Sequence, residues 1–474
     1  MVACDMFWRA FFIAALLAVT PALAQPVAAP DCTVDGRLAD SDGLWLDIAY
    51  RCRASRPLSF RMVEDRASSF LHALKVEQRD GVADARYRFD LSGFAHAVDS
   101  TSLAVQRGGG VLAILGSWLL EPQGYDRAPI IDIRMTTKPG LVFATGLPKA
   151  GDAWRLSGTP VVAAGYSVLG RLAYRELAVP GPGSLRPGAP KADAVLRVAI
   201  LDGVGESARA HLFDWVERTA QAQSNYWQGF TARQALLGHL PATHRRAVGY
   251  GRAVSGGGVT VMVEVGSDVD RRRLFDDWVL THELIHTGMP FIRRGGTWFM
   301  EGAATYVEPI IRARAGWKTE EEVWREWVDN MPKGVRAFSS GMANARGQEN
   351  YWGGATFLLL ADIGLRRATN GAKGLEDCLA GVLWSGLDGA RRATVAEYAA
   401  ACDRVTGTIV MSGLAERHFY NAEPIDLAAL WKDLGISLAA GRIALDDSAP
   451  SARWRKLIVP GTRPPGRVKL PWES

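Results

Sequence analysis

From about residue 32 to residue 178, apolar and polar positions alternate with a period of two. In "ARYRFDLSG", Tyr87, Phe89 and Leu91 alternate with Arg86, Arg88 and Asp90; in "IIDIRMTT", Ile131, Ile133 and Met135 alternate with Asp132 and Arg134. Alternation sends every second side chain to one face, so each run predicts a strand covered on one side. Turn formers separate the runs, and residues 25–178 together predict an antiparallel β-sandwich. "VPGPGSLRPGAPKAD", residues 179–193, holds proline and glycine too densely for a helix or strand interior and predicts a linker.

Beyond that stretch the period changes. "AVLRVAILDG" predicts an apolar strand, and residues 205–227 a helix. "VTVMVEVG", residues 259–266, sets Val259, Val261, Val263 and Val265 against Thr260, Met262 and Glu264, the pattern of a half-buried strand. From Arg271 onward helices dominate. Thr319 with Glu322 and Thr394 with Glu397 are capping boxes at two helix starts, and Asn370-Gly371 marks a stop. Residues 194–474 thus predict a small sheet followed by a helical body, and the whole chain an α+β multidomain protein.

Composition narrows the classes. At 474 residues, 48% apolar and 22% charged, the chain can bury a core in each of two or three domains. Its net charge of +5 is spread along the sequence rather than gathered in a stripe, which argues against a nucleic-acid partner. The opening "MVACDMFWRAFFIAALLAVTPALAQ" places Arg9 before an apolar run, and Ala22-Leu23-Ala24 after it. This predicts a signal peptide over residues 1–24, cleaved after Ala24, and a secreted or periplasmic protein. The run is shorter than the ~20 residues of a membrane span, and no later stretch is long and apolar enough, so no integral membrane segment is expected in the mature chain. Cys4 leaves with the signal. Cys32, Cys52, Cys378 and Cys402 remain, an even count that predicts disulfides, with proximity in sequence favouring Cys32 with Cys52 and Cys378 with Cys402.

The chemistry concentrates in "WVLTHELIHTGMP", residues 278–290. At 3.6 residues per helical turn, His282 and His286 project from one face one turn apart, the spacing at which two imidazoles hold a single ion. Glu283, beside the first histidine, is placed to take a proton from a metal-activated water. The next helix opens at Thr297, and "TWFMEGAATYVEP" offers Glu301 as the oxygen ligand of a His₂Glu site that keeps one position open. Glu308, two turns on, is the competing candidate, less well placed because Pro309 interrupts the helix beside it. One zinc ion per chain is expected.

"HELIH", then fourteen residues, then "EG" within "WFMEGAATYVE" resembles the gluzincin metallopeptidases. "NYWGGATFLLLADIGLRRATNGAKGLEDCL" is similar to their glycyl aminopeptidase branch, and the resemblance is specific over roughly residues 254–385. It implies a thermolysin-like catalytic domain, His282, His286 and Glu301 as zinc ligands, Glu283 as general base, and Tyr351 as the phenol that stabilises the oxyanion. A phenol can do so because it donates a hydrogen bond as charge builds on the carbonyl oxygen. Thr305, one turn past Glu301, is positioned to orient a ligand from behind. The family also presents a glycine-rich edge strand whose glutamate grips the substrate's free amine. In "SGGGVTVMVEVG", Gly256, Gly257 and Gly258 fit that strand as substrate contacts, whereas Glu264 does not match the glutamate. Gly353 replaces the family's lysine two residues after the tyrosine, and too few residues follow the helices for the family's terminal PDZ domain.

The expected function is zinc-dependent hydrolysis of peptide bonds in a peptide or protein substrate, endo or exo. The alternatives are a strict aminopeptidase and a catalytically inactive zinc-containing periplasmic binding or assembly protein; Glu283 and Tyr351, which a structural ion does not need, argue against the last. Most of the sixteen tryptophans fall at helical spacing and predict core. Trp298 and Trp352 border the site, and Trp298 is a candidate substrate contact. "EEEVWREWVDN" reads as an amphipathic helix with a solvated outer face.

Overall fold

In the computed structural model, which describes residues 28–243, 246–293 and 295–460, the period-two region folds into two facing sheets. Seven strands form the larger, in the spatial order Lys149–Ala150, Ala153–Leu156, Ile131–Thr136, Cys32–Asp40, Leu44–Arg53, Val82–Asp90 and Leu71–Arg79. The smaller sheet is Val142–Thr145, Tyr166–Gly170, Gly110–Ile114 and Ala104–Arg107. Neighbouring strands are antiparallel except Cys32–Asp40 and Ile131–Thr136, which run parallel. Tyr87, Phe89, Ile131 and Ile133 are buried in the core shared by the two sheets, as the alternation requires. Cys32 and Cys52 stand opposite one another in adjacent strands and are joined as a disulfide.

The stretch expected to be a linker lies inside the second half of the molecule. Strands β1 (Ala173–Pro180) and β2 (Asp193–Ile200) pair antiparallel along their whole length, and residues 181–192 connect them. The second unit therefore starts near Ala173, before the proline- and glycine-rich run rather than after it. Both a linker and a long connection between paired strands need residues that leave regular φ/ψ, so the composition cannot distinguish them.

Helix α1 (Glu206–Trp227), β3 (Gln234–Ala242), β4 (Val248–Val254) and β5 (Val259–Gly266) follow, completing a sheet ordered β1-β2-β3-β5-β4. The inner three strands are parallel, and both edge strands are antiparallel to them. β5 was expected to be half-buried, yet Thr260 and Met262 are as buried as the valines. Helices cover one face of the sheet, and the smaller N-terminal sheet covers the other, where Leu112 and Val168 meet Leu236 and Met262. A Cβ on Gly238 of β3 would lie 2.7 Å from the Leu112 side chain, so Leu112 of the smaller sheet packs directly on the β3 backbone.

The helical body includes α2 (Val279–His286), α3 (Thr297–Arg314) and α4 (Gly354–Ala368). Both expected capping boxes form at Thr319 and Thr394, and Asn370 and Gly371 take positive φ just after α4 ends. Trp324 and Trp327 are buried beneath the acidic helix Glu320–Asn330. A second disulfide, Cys378 to Cys402, ties the helices Leu375–Trp384 and Val395–Thr406. The expected signal peptide lies outside the described residues. Among the described residues, no helix is long and apolar enough to cross a membrane.

Candidate metal centre

Helix α2 is short and is held from behind. Gln223 of α1 donates to the Thr281 carbonyl at 2.7 Å, and the hydroxyls of Thr231 and Thr287 hydrogen-bond at 2.6 Å. The Trp227 ring packs against Gly288, where a Cβ would sit 3.0 Å from the indole. With Leu284 and Ile285 buried on the inner face, the opposite face turns His282 and His286 toward a cleft, their ring centroids 5.0 Å apart. Helix α3 brings Glu301 to the same point. Its Oε2 lies 3.3 Å from His282 Nε2 and 3.6 Å from His286 Nε2, and one ligand atom from each residue lies within 4.8 Å of the others.

A glycine contact sets that convergence. A Cβ on Gly302 would lie 2.4 Å from the Gly354 Cα, and one on Gly354 would lie 2.0 Å from the Trp298 carbonyl oxygen. The backbones of α3 and α4 therefore touch, and the residue after Glu301 must be glycine for them to do so. Immediately before α4 the chain makes a π-helical turn, Glu349–Gly353, and this turn carries Tyr351 into the cleft. The Tyr351 ring stacks near His282, centroids 6.3 Å apart and planes 27° apart. Burial, with the charges of Glu301 and Glu283, raises its pKa and keeps the phenol a hydrogen-bond donor.

The donor set fits zinc: two imidazole nitrogens and one carboxylate oxygen, from two adjacent helices, with the remaining direction facing the cleft. Burial lowers the pKa of His282 and keeps its ring neutral, as a ligand must be. Burial opposes ionisation of Glu301, but hydrogen bonds to His282 and His286 prevail and hold its pKa at about 2. Burial works against a charge on His286, but the hydrogen bond and charge of Glu301 outweigh it and raise its pKa. Glu283 is raised, chiefly by burial, with His286 and a hydrogen bond from the Ala253 backbone N–H opposing.

The cleft encloses 1090 Å³ between β4, α2, α3, Tyr351 and the loop 389–392, with Thr159 and Pro160 reaching it from the N-terminal half. Its upper lip is β4. A Cβ on Gly251 would lie 2.6 Å from Glu283 Cγ, so this strand passes directly over the glutamate and only glycine fits there.

Other expected site residues are placed differently. Gly256, Gly257 and Gly258 form the turn between β4 and β5 rather than an edge strand; Gly256 lines the cleft, and all three pack on the N-terminal half. A Cβ on Gly256 would meet the Ala163 carbonyl oxygen at 1.6 Å, and one on Gly258 the Gly146 carbonyl oxygen at 2.2 Å. β5 itself is flanked by β3 and β4 and has no free edge. Glu264 stands opposite Tyr250 and does not line the cleft. Trp298 is 1% exposed among Phe299, Phe357 and Phe419, a core residue rather than a substrate contact. Trp352 is partly buried against the same core. The tryptophan that lines the cleft is Trp278, 49% exposed with its ring centroid 5.0 Å from that of His282. Thr305 is buried and, among the described residues, makes no hydrogen bond to His282, His286 or Glu301. Pro309 does not interrupt α3, which runs through it to Arg314. Glu308 faces away from the histidines and pairs with buried Arg312 at 2.9 Å. The sequence reading missed β4 altogether. Its signal is Gly249 and Gly251 at alternate positions of "VGYGRAV", a strand face left without side chains.

No protein-family model matches the chain, and no curated protein matches it in sequence. Among solved structures, an aminopeptidase N family protein from Idiomarina loihiensis matches over 85% of this chain and 78% of its own, with a TM-score of 0.59 and 13% identity. Native yeast LTA4 hydrolase matches over 85% of this chain and 71% of its own, with a TM-score of 0.45 and 12% identity. The first likeness shows a shared α+β fold, an N-terminal β region followed by a small sheet and helical body.

Proposed function

We propose that the chain is an exported zinc peptidase that hydrolyses peptide bonds in a peptide or protein substrate. One observation carries the reading: His282, His286 and Glu301 converge within 4.8 Å beneath a strand lip, with Glu283 and Tyr351 in the same cleft. Zinc held by the three side chains would supply Lewis acidity and lower the pKa of a coordinated water to about 7.

The remaining steps belong to the chain's own groups. The free edge of β4 offers backbone N–H and C=O groups to an extended substrate, as in β-strand addition. Glu283, with its affinity for protons raised by burial, accepts a proton and returns it to the leaving amine. Tyr351 donates its phenolic hydrogen to the carbonyl oxygen as negative charge develops there. The carboxylates lining the cleft are Glu283 and Glu301, both engaged at the centre. Among the described residues none is left on β4 to hold an N-terminal ammonium, which supports cleavage without recognition of a free amine. Two disulfides support the assignment to an oxidising, extracytoplasmic compartment.

The test is Glu283→Gln beside wild type, with bound zinc measured by metal analysis and hydrolysis followed on free and N-acetylated peptides. The variant is expected to keep its zinc and lose hydrolysis, and wild type to cut both peptide sets. Wild-type turnover in the variant overturns the assigned base; cleavage restricted to free N-termini overturns the amine-independent reading.

A further inference from the structure

We infer that the cleft selects peptides bearing acidic side chains, and that Arg391 and Arg392 are the residues that read them. The inference rests on the peptidase reading above and names its substrate class. Among the described residues three guanidinium groups line the cleft, Arg252 from β4 and Arg391 and Arg392 from the loop 389–392, and neither aspartate nor lysine joins them. Glu301 faces the two imidazoles, and Glu283 accepts the Ala253 N–H and feels the charge of Arg252, so neither carboxylate is paired with Arg391 or Arg392. Arg252 donates to the Tyr166 hydroxyl at 3.3 Å, a neutral partner. Arg391 and Arg392 make no ion pair among the described residues.

The backbone of the loop is held on both sides, which places these two side chains at the cleft. Gly389 packs against the end of α2 and the turn after β4: a Cβ there would lie 2.9 Å from the Thr287 carbonyl oxygen and 3.0 Å from Ser255 Oγ. Phe291 N–H donates to the Arg391 carbonyl at 2.9 Å, Arg293 N–H donates to the Ala393 carbonyl at 2.8 Å, and the short strands Phe291–Ile292 and Arg392–Ala393 pair in parallel. Phe291 is 55% exposed, and the Arg392 guanidinium lies 5.8 Å from its ring centroid. An aromatic surface of this kind orients a guanidinium and leaves its edge free for a bidentate carboxylate. The pair therefore stands at the His286 end of the cleft, beyond the end of β4, where a peptide laid along that strand would emerge. Charges of one sign in a walled cleft focus their field on what enters, attracting acidic segments and repelling basic ones.

Matched peptides differing only by Glu, Gln or Lys at successive positions around one bond test this. kcat/KM is measured on wild type and on the Arg391→Gln/Arg392→Gln protein, and binding is measured by fluorescence anisotropy in the Glu283→Gln background. Wild type is expected to favour the Glu peptide over the Gln peptide by about tenfold at low salt, from two charge pairs at the cleft mouth. In the double arginine variant the ratio is expected to fall to about twofold or less, and Arg391→Lys/Arg392→Lys is expected to restore part of it. Equal handling of the three peptides by wild type, binding of none of them, or a preference that survives loss of both arginines overturns the inference. Binding preference without hydrolysis overturns the peptidase reading alone; hydrolysis without charge preference overturns the acidic-substrate inference alone.

Discussion

Helix α3 carries two glutamates two turns apart whose surroundings are opposite. Glu301 is partly exposed, and its partners are two imidazoles on another helix. Glu308 is buried, and its partner is Arg312, one turn along the same helix and itself hydrogen-bonded to the Phe275 and Asp276 carbonyls. The pKa of Glu301 is held at about 2; that of Glu308 is pushed up to about 7 by burial, against the opposing charge of Arg312. The lesson is that a carboxylate's role follows from what closes around it. A buried carboxylate paired within its own helix is part of the scaffold, whereas one facing two imidazoles across a cleft is placed to share a cation with them.

The contrast can be broken most severely at Glu301. Glu301→Ala is expected to abolish both zinc retention and turnover, read by metal analysis and peptide hydrolysis, while the fold persists by circular dichroism. Retained zinc at wild-type stoichiometry would move the third ligand elsewhere. Glu283→Gln comes next, with a loss of about 10²–10⁴ in kcat and zinc retained. Tyr351→Phe removes one donor to the developing oxyanion and is expected to lower kcat by about 10² with KM little changed; an unchanged kcat would reduce Tyr351 to packing. Glu308→Ala belongs to the other class. It leaves Arg312 without its carboxylate and is expected to cost about 3 kcal/mol of stability in denaturant titrations, with zinc affinity unaffected. The smallest effect is one of pH. The folded chain holds the Glu308 proton above the ordinary value of 4.5, up to about 7. It therefore binds more protons than the unfolded chain in that window and loses stability as pH rises through it. Glu308→Gln cannot titrate, so its melting temperature should vary less than that of wild type between pH 5 and 8.

Most of this arrangement is local and could be read from the chain. The histidine spacing is a property of one helical turn, and the structure brings His282, His286 and Glu301 to one point. The strand Val82–Asp90 follows from period-two burial and the capping boxes from side chains three residues apart, whereas in Ile131–Thr136 Asp132 is buried between Ile131 and Ile133, paired with Arg155. What could not be read depends on neighbours distant in sequence. Alternation in β5 reports apolar faces but not which sheet covers the second one, so an interior strand was taken for an edge. Trp298 sits three residues before Glu301, but α4 and Phe419 close over it and turn it into core. Pro309 argued for a break in α3. The helix nonetheless continues, packed into the core along residues 302–312, at the cost of the Thr305 carbonyl's helical donor. The glycines were the clearest unused signal: Gly249, Gly251, Gly302 and Gly354 mark the backbone approaches that shape the cleft.

The layer shared by the smaller N-terminal sheet and the five-stranded sheet has a mechanical consequence. Because Leu112, Val168, Leu236 and Met262 belong to one apolar seam, neither half can swing away from the other without wetting it. The cleft borrows its roof supports from a neighbour that carries none of the metal-facing side chains. Cutting the chain before Ala173 would leave a C-terminal half with an oily back, prone to clump, and calorimetry of the whole protein should show a single cooperative peak rather than two.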